Sequence, residues 1–188
     1  MGINEKLNKS SISITGRPGV GKTTYALLLV EKLKSFQCKV KGFITKEIRE
    51  GNTRIGFTVK DLSNDKQVVL ASKNIKSTIR VGSYYLNEES FSFIIDILKN
   101  LNDSDVIVID EIGPMELKIN GFDNLLKNII GKKPYIITFY YKLKEIRPDI
   151  YNLLNKGEII ELNFENRNKY MEKIDQYAKM IKDASLCH

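Results

Sequence analysis

The sequence predicts an α/β fold in three layers, with a mostly parallel central sheet between helices and an antiparallel hairpin inserted at one side. Three observations predict it. Strand-like and helix-like segments alternate along the 188 residues. The run Val106-Ile107-Val108-Ile109, bounded by Asp105 and Asp110, is unbroken and apolar, as a parallel strand buried on both faces reads. Gly16-Arg17-Pro18-Gly19-Val20-Gly21-Lys22-Thr23 matches G-x-x-x-x-G-K-[ST] at every fixed position and lies between a strand-like and a helix-like segment.

Taken in order, Ser11-Ile12-Ser13-Ile14 alternates polar and apolar, so a first strand is expected near 10–15 and a helix near 22–36. Residues 39–60 alternate on both sides of the turn signal Glu50-Gly51-Asn52 and read as a hairpin. Short strands follow near 66–71 and 81–86. Phe91, Ile94, Ile95 and Leu98 recur at helical spacing on a helix that begins near Asn87 and ends near Leu101. The strand at 106–109 comes next, then helix near 120–130, strand at 135–139, helix near 145–155, strand at 157–162 and helix near 165–184. No Pro/Gly/Ser-rich linker or repeat interrupts this order, so residues 1–188 are expected to form one domain with a core at about 10–184.

A strand, a glycine loop and a helix N-terminus together make an anion site, because backbone N–H groups turn inward and the helix dipole adds positive potential. In this loop Gly16, Gly19 and Gly21 allow close approach, Pro18 stiffens the turn, and Arg17 and Val20 complete it. Lys22 is placed for the β- and γ-phosphates, the Thr23 hydroxyl for Mg²⁺, and Thr24 for the α-phosphate. Arg17 lies near the γ-phosphate or faces solvent. The loop implies a nucleoside triphosphate ligand.

The apolar run at 106–109 delivers Asp110 and Glu111 to the C-terminal edge of the sheet, where open α/β sheets bind ligands. Asp110 is expected to hold Mg²⁺ together with Thr23. Glu111 is expected to orient a water and take its proton during attack on the γ-phosphate, which would make Lys22 and Glu111 the catalytic pair.

Composition excludes several alternatives. The single His, at position 188, rules against a histidine metal site or a serine–histidine triad. Cys38 and Cys187 are too few and too far apart in sequence for a disulfide framework or a zinc site, so a reducing, cytoplasmic setting is expected. There is no signal-peptide core or membrane-length apolar stretch, and Lys6 stands where a myristoylation signal after Met1-Gly2 has Ser or Thr. Residues 1–60 carry 12 Lys/Arg against 4 Asp/Glu; the rest carries 18 against 19. A basic N-terminal third suits either an anionic substrate or, with less support from motifs, nucleic acid.

Several segments together resemble a known family. They are Gly16–Thr24, Gly42-Phe43-Ile44-Thr45 with Glu47-Ile48-Arg49, Arg54-Ile55-Gly56-Phe57, and Arg80-Val81-Gly82 with Tyr84. The run from Val108 through Asp110-Glu111-Ile112-Gly113-Pro114-Met115-Glu116-Leu117 and the later Glu165-Asn166-Arg167-Asn168 complete the set. The chain resembles, over about residues 10–170, the small nucleoside-triphosphatases of the thermophile phosphatase family, also called cancer-related nucleoside-triphosphatase. The resemblance implies a P-loop fold of the RecA-like additional-strand class. It also implies Mg²⁺-dependent hydrolysis of nucleoside triphosphates, ATP and GTP among them, to diphosphate and phosphate with broad base tolerance; with no obvious arginine finger in cis, turnover is expected to be slow. Phe139-Tyr140-Tyr141-Lys142 departs from the less aromatic loop expected there, and Thr138 is a weak γ-phosphate sensor candidate.

Other residues keep two readings. Glu47 and Arg49 share a strand face, as a polar site or as a surface charge pair. Arg54, Arg80 and Arg147 are charge-stabiliser candidates or surface groups. Asn166 and Arg167 are placed for the nucleotide base, or cap a helix. Met115 reads as packing, Glu116 as a supporting carboxylate, and Phe91 and Phe93 as core or helix surface. Transfer to a small acceptor, and a nucleotide-dependent switch that binds RNA, are the competing functions.

Overall fold

The computed structural model describes residues 10–185 together with Leu7 and Cys187. Met1, Gly2, Lys6 and His188 lie outside the described residues. The order is β1 (Ile12–Thr15), α1 (Lys22–Ser35), β2 (Val40–Glu50), β3 (Thr53–Asp61), β4 (Gln67–Ser72), β5 (Arg80–Val81), β6 (Tyr84–Leu86) and α2 (Glu89–Lys99). It continues with β7 (Val106–Ile112), a 3-10 turn (Glu116–Lys118), α3 (Phe122–Ile129), β8 (Tyr135–Phe139), α4 (Leu143–Ile146), α5 (Pro148–Leu154), β9 (Glu158–Glu161), α6 (Arg167–Met171) and α7 (Ile174–Ala184).

The strands form one sheet in the order β5-β6-β4-β3-β2-β7-β8-β1-β9. From β2 to β9 every neighbouring pair is parallel; from β2 outward to β5 every pair is antiparallel. β8 lies between β1, which leads into the glycine loop, and β7, which carries Asp110. That inserted strand is the mark of the additional-strand arrangement.

Alternation along the buried strands builds the three layers. Val106 and Val108 join Ile136 and the α1 residues Tyr25, Leu29 and Leu33 on one face, with Tyr177 and Ile181 of α7. Ile107 and Ile109 join Tyr135 and Ile137 on the other, under Ile94 and Leu98 of α2, Leu126 of α3 and Ile150 of α5. Each fully buried side chain of this kind contributes about 1.5–3 kcal/mol of hydrophobic stabilisation. Phe91 and Phe93 are partly buried against the second face.

The structure departs from the sequence reading in four places. The single strand near 81–86 is a short hairpin, β5 and β6, turning at Gly82-Ser83. The helix near 145–155 is two helices, because Pro148 forces Arg147 out of helical geometry and then starts α5, where its missing N–H is not needed. The C-terminal helix breaks between Met171 and Ile174. The fourth correction concerns the cysteines: Cys38 and Cys187 are paired, with Cα atoms 4.8 Å apart. A separation of 149 residues in sequence is not a separation in space, since α1 and α7 pack side by side and bring Cys38 and the C-terminal segment together. Cysteine usage therefore no longer argues for a reducing setting. No helix among the described residues is long and apolar enough to cross a membrane.

Candidate active site

The glycine loop joins β1 to α1. Gly16 has φ 141°, and a Cβ there would meet the Leu162 carbonyl oxygen at 2.3 Å, so the loop is seated against the chain leaving β9. Gly21, in the left-handed region, leads into α1, and Lys22 and Thr23 occupy its first turn. The N–H groups of that turn have no partner within the helix. Arg17, Pro18 and Gly19 are exposed, Val20 is buried, and Thr24 is exposed beside Thr23.

β7 carries the acidic pair. Asp110 is fully buried and is held from three sides. Thr23 Oγ1 donates to both its oxygens at 3.0 and 3.1 Å, and the Thr45 N–H from β2 donates to Oδ2 at 3.3 Å. The Thr138 hydroxyl from β8 also donates to Oδ1. Thr138 is itself fully buried and committed to Asp110, which corrects its reading as a γ-phosphate sensor: it is an orienter of the carboxylate. Burial pushes the Asp110 carboxyl above its ordinary range, against these hydrogen bonds and the nearby Lys22 charge. The Thr23 hydroxyl and the Asp110 carboxylate form an oxygen pair of the kind that Mg²⁺ takes alongside substrate phosphates and waters. No cluster of three or more His, Cys, Asp or Glu suited to a metal occurs among the described residues.

Glu111 points differently. Its side chain is 28% exposed, and its Oε2 lies 3.5 Å from Lys22 Nζ. Lys22 also donates to the Gly16 carbonyl at 3.0 Å. Burial is the main cause that raises the Glu111 carboxyl, Lys22 opposes it, and Asp110 adds to it. A carboxylate raised toward neutrality is a better proton acceptor in its task than an ordinary one.

Glu116, read from sequence as a supporting carboxylate, lies in the 3-10 turn after β7. Its Oε2 accepts the Gly113 N–H at 3.0 Å, which pins the loop that follows Glu111. Burial, with help from the charges of Glu111 and Asp110, pushes this carboxyl up to about 8. The folded state thus holds a proton that the unfolded chain, with its carboxyl at the ordinary value, releases. Stability from this group is full at acid pH and is lost as pH rises from the ordinary carboxylate value toward 8. Glu116→Gln keeps the acceptor for Gly113 and removes the titration. Melting curves are expected to show wild type losing at least about 3 °C relative to the variant between pH 5.5 and 8.5. Parallel curves would mean that Glu116 titrates normally.

A cavity of about 670 Å³ opens over the glycine loop, Glu111 and Glu116 and runs outward under the β2–β3 hairpin. Glu47, Arg49 and Arg54 line it together with Tyr84. Glu47 and Arg49 are ion-paired at 2.7 Å along β2, and both line the cavity. Arg54 donates to Glu47 at 2.7 Å and to the Tyr84 hydroxyl at 2.9 Å. Arg80 is exposed and bonded to the Gly82 carbonyl, and Arg147 is paired with Asp123 and Asp149, so neither faces the cavity. Met115 lines it and also packs on the core.

Asn166 and Arg167 stand apart from this cavity, on the β9 side of the loop. The Asn166 side chain accepts the Asn163 N–H and donates to the Glu161 carbonyl, both at 2.9 Å; it braces the turn after β9 and makes no side-chain cap for α6. Arg167 is exposed over the ring of Phe164, itself 66% exposed. Sequence reasoning assigned no role to Thr45, in mid-β2 within the Gly42–Thr45 segment, or to Phe164, which follows the end of β9.

The fold and the site define a P-loop nucleoside-triphosphatase class: a parallel additional-strand sheet with a phosphate loop facing an Asp-Glu pair. Residues 11–175 match the model of the NTPase family, and the chain belongs to that nucleoside-triphosphatase family. It is 40% identical over 166 residues to nucleoside-triphosphatase THEP1 of Methanocaldococcus jannaschii, covering 87% of this chain and 94% of that protein. The THEP1 of Saccharolobus solfataricus is 37% identical over 177 residues, with 93% and 96% covered. Among solved structures, THEP1 from the hyperthermophile Aquifex aeolicus superposes with a TM-score of 0.72 at 32% identity, over 87% of this chain and 96% of that one. A human cancer-related nucleoside triphosphatase superposes at 0.70 and 30% identity, over 88% and 95%.

Proposed function

We propose that this chain, acting as one domain, hydrolyses nucleoside triphosphates to diphosphate and phosphate with Mg²⁺, slowly and with broad base tolerance. The observation that carries the reading is the Glu111 carboxylate, raised by burial and held 3.5 Å from the phosphate-loop lysine. An arriving triphosphate takes Lys22 and the free N–H groups of α1 as its partners. Glu111, released from Lys22, takes the proton of a water as that water's oxygen attacks the γ-phosphorus. The bond to the β,γ-bridging oxygen breaks and its electron pair leaves with the diphosphate. Mg²⁺ held by Thr23 and Asp110 would spread the charge of the transferring group. Lys22 does the same from the loop.

Base tolerance has physical support. The groups proposed for the base, Arg167 with Phe164 and the Asn166 turn, offer a stacking face, which accepts any ring. Slow turnover is supported by Arg54, the one cavity-lining candidate of the three arginines considered, being held by Glu47 and Tyr84. A cytoplasmic setting follows from where nucleoside triphosphates are abundant.

The test is phosphate release from ATP, GTP, CTP and UTP with Mg²⁺ and again with excess EDTA. Release from all four with kcat/KM values within about tenfold, lost with EDTA, is expected. Release confined to one base, or persisting without divalent metal, would overturn the corresponding part of the proposal.

A further inference from the structure

A hydrolase needs room beside the γ-phosphate for one water, whose share of liquid volume is about 30 Å³. The cavity here, about 670 Å³, has to take the phosphates over the loop as well as that water, and its shape is lopsided. Along the sheet, β9 lies on one side of the glycine loop, while β7, β2 and β3 lie on the other. Arg167 and Phe164 are on the β9 side. The cavity extends only the other way, from the loop past Glu111 to the hairpin. Its outer half therefore lies beyond the γ-phosphate end of a bound triphosphate, away from the base.

That outer half is built for a ligand other than water. Its floor is apolar, made of Phe57, Leu70, Val81 and Met115. Phe57 and Tyr84 meet edge to face at 5.1 Å, and the Arg54 guanidinium lies over both rings at 5.1 and 5.8 Å. Arg54 Nη2 has no hydrogen-bond partner among the described residues, although its Nε and Nη1 are both used. Arg49 and Arg54 set two cations against the one carboxylate of Glu47 on this wall. An apolar floor, aromatic rings and a cationic rim suit a flat ring that carries an anion.

We propose that the outer cavity is a second substrate site, which takes a ring-bearing phosphomonoester of the nucleoside monophosphate class and presents its phosphate to the γ-phosphorus. The proposal rests on the reading above for where the γ-phosphate and the base lie. An oxygen of the acceptor phosphate forms the new bond to phosphorus, the bond to the β,γ-bridging oxygen breaks, and its electron pair leaves on the donor diphosphate. A dianionic acceptor has no proton to lose; a monoanionic one gives its proton to Glu111. Both products are nucleoside diphosphates, and water competes at the same phosphorus when the site is vacant.

The experiment has a binding arm and a transfer arm, both on the full chain. Titration calorimetry with AMP, CMP, GMP and UMP is run with Mg²⁺ and a saturating non-hydrolysable ATP analogue. Transfer is followed with γ-labelled ATP and the same four acceptors. Saturable binding of at least one monophosphate alongside the analogue is expected, with label appearing in its diphosphate. Val81→Trp fills the floor without touching the phosphate-cradling residues. It is expected to weaken monophosphate binding and transfer by at least about tenfold, while acceptor-free phosphate release stays within about twofold. Because Val81 is only partly buried, a melting curve checks that this variant folds, and Arg54→Gln, expected to raise the acceptor KM, gives a second reading. No monophosphate binding beside the analogue, binding without any transferred label, or binding and transfer unchanged in Val81→Trp overturns the proposal. Loss of phosphate release from ATP alone, with monophosphate still bound, would instead count against the hydrolase reading.

Discussion

Lys22→Ala is expected to weaken Mg²⁺–ATP binding by about 100-fold or more and to reduce phosphate release to background. A charged hydrogen bond to phosphate is worth about 1.5–3 kcal/mol, and this lysine reaches two phosphates in the proposed complex. The substitution acts a second way. Lys22 lies 3.5 Å from Glu111 and opposes the upward push that burial gives that carboxyl. Without it Glu111 holds its proton to higher pH, so the acid side of any residual activity moves upward. Equilibrium binding and circular dichroism on the same preparation separate lost affinity from lost fold. Normal turnover in a folded Lys22→Ala protein would remove the central claim.

Glu111→Gln is expected to leave Mg²⁺–ATP affinity within about threefold and to lower kcat by about 10²-fold or more, the scale of lost general-base catalysis. The amide keeps the size and the hydrogen-bonding reach but takes no proton. In wild type, activity falls as pH drops through the folded carboxyl value, because the protonated form is no base. Burial places that fall above the ordinary carboxylate range. The variant's residual rate should lack this acid limb. Single-turnover measurements across pH decide the matter: equal losses in affinity and rate, or a retained limb, would assign Glu111 to holding metal or loop.

Much of this site was readable because its chemistry is local in sequence. The glycine loop with Lys22 and Thr23 is one contiguous motif between a strand and a helix, and β7 announces itself by four consecutive apolar residues ending in Asp110-Glu111. The groups that hold Asp110 were not readable as such. Thr45 and Thr138 reach it from β2 and β8, 65 and 28 residues away, through parallel register that no short-range pattern encodes. Thr138, near the end of the strand at 135–139, was read as a weak γ-phosphate sensor candidate and instead donates to Asp110. The break at Arg147-Pro148 did have a signal, in the proline, which the reading of one helix over 145–155 passed over. The cavity beyond Glu111 was hidden for a further reason. It is a space between β2, β3, β4, β5 and the loop after β7; Met115 read as packing, and Phe57 and Val81 stood in the segments of the resemblance with no role of their own.

The Cys38–Cys187 bond closes most of the polypeptide into a single covalent ring, and the segment through the glycine loop and α1 lies outside it. A protease that cuts any loop within that ring linearises it without releasing a fragment. The nicked molecule keeps its full mass, plus one water, until a reductant opens the bond. An unfolding machine that grips the free N-terminal arm meets the ring after Cys38 and must then thread two strands at once or stall. That arm also bears Lys22 and Thr23, so the phosphate loop lies outside the ring and is held to it by the pairing of β1 with β8 and β9 and by the packing of α1.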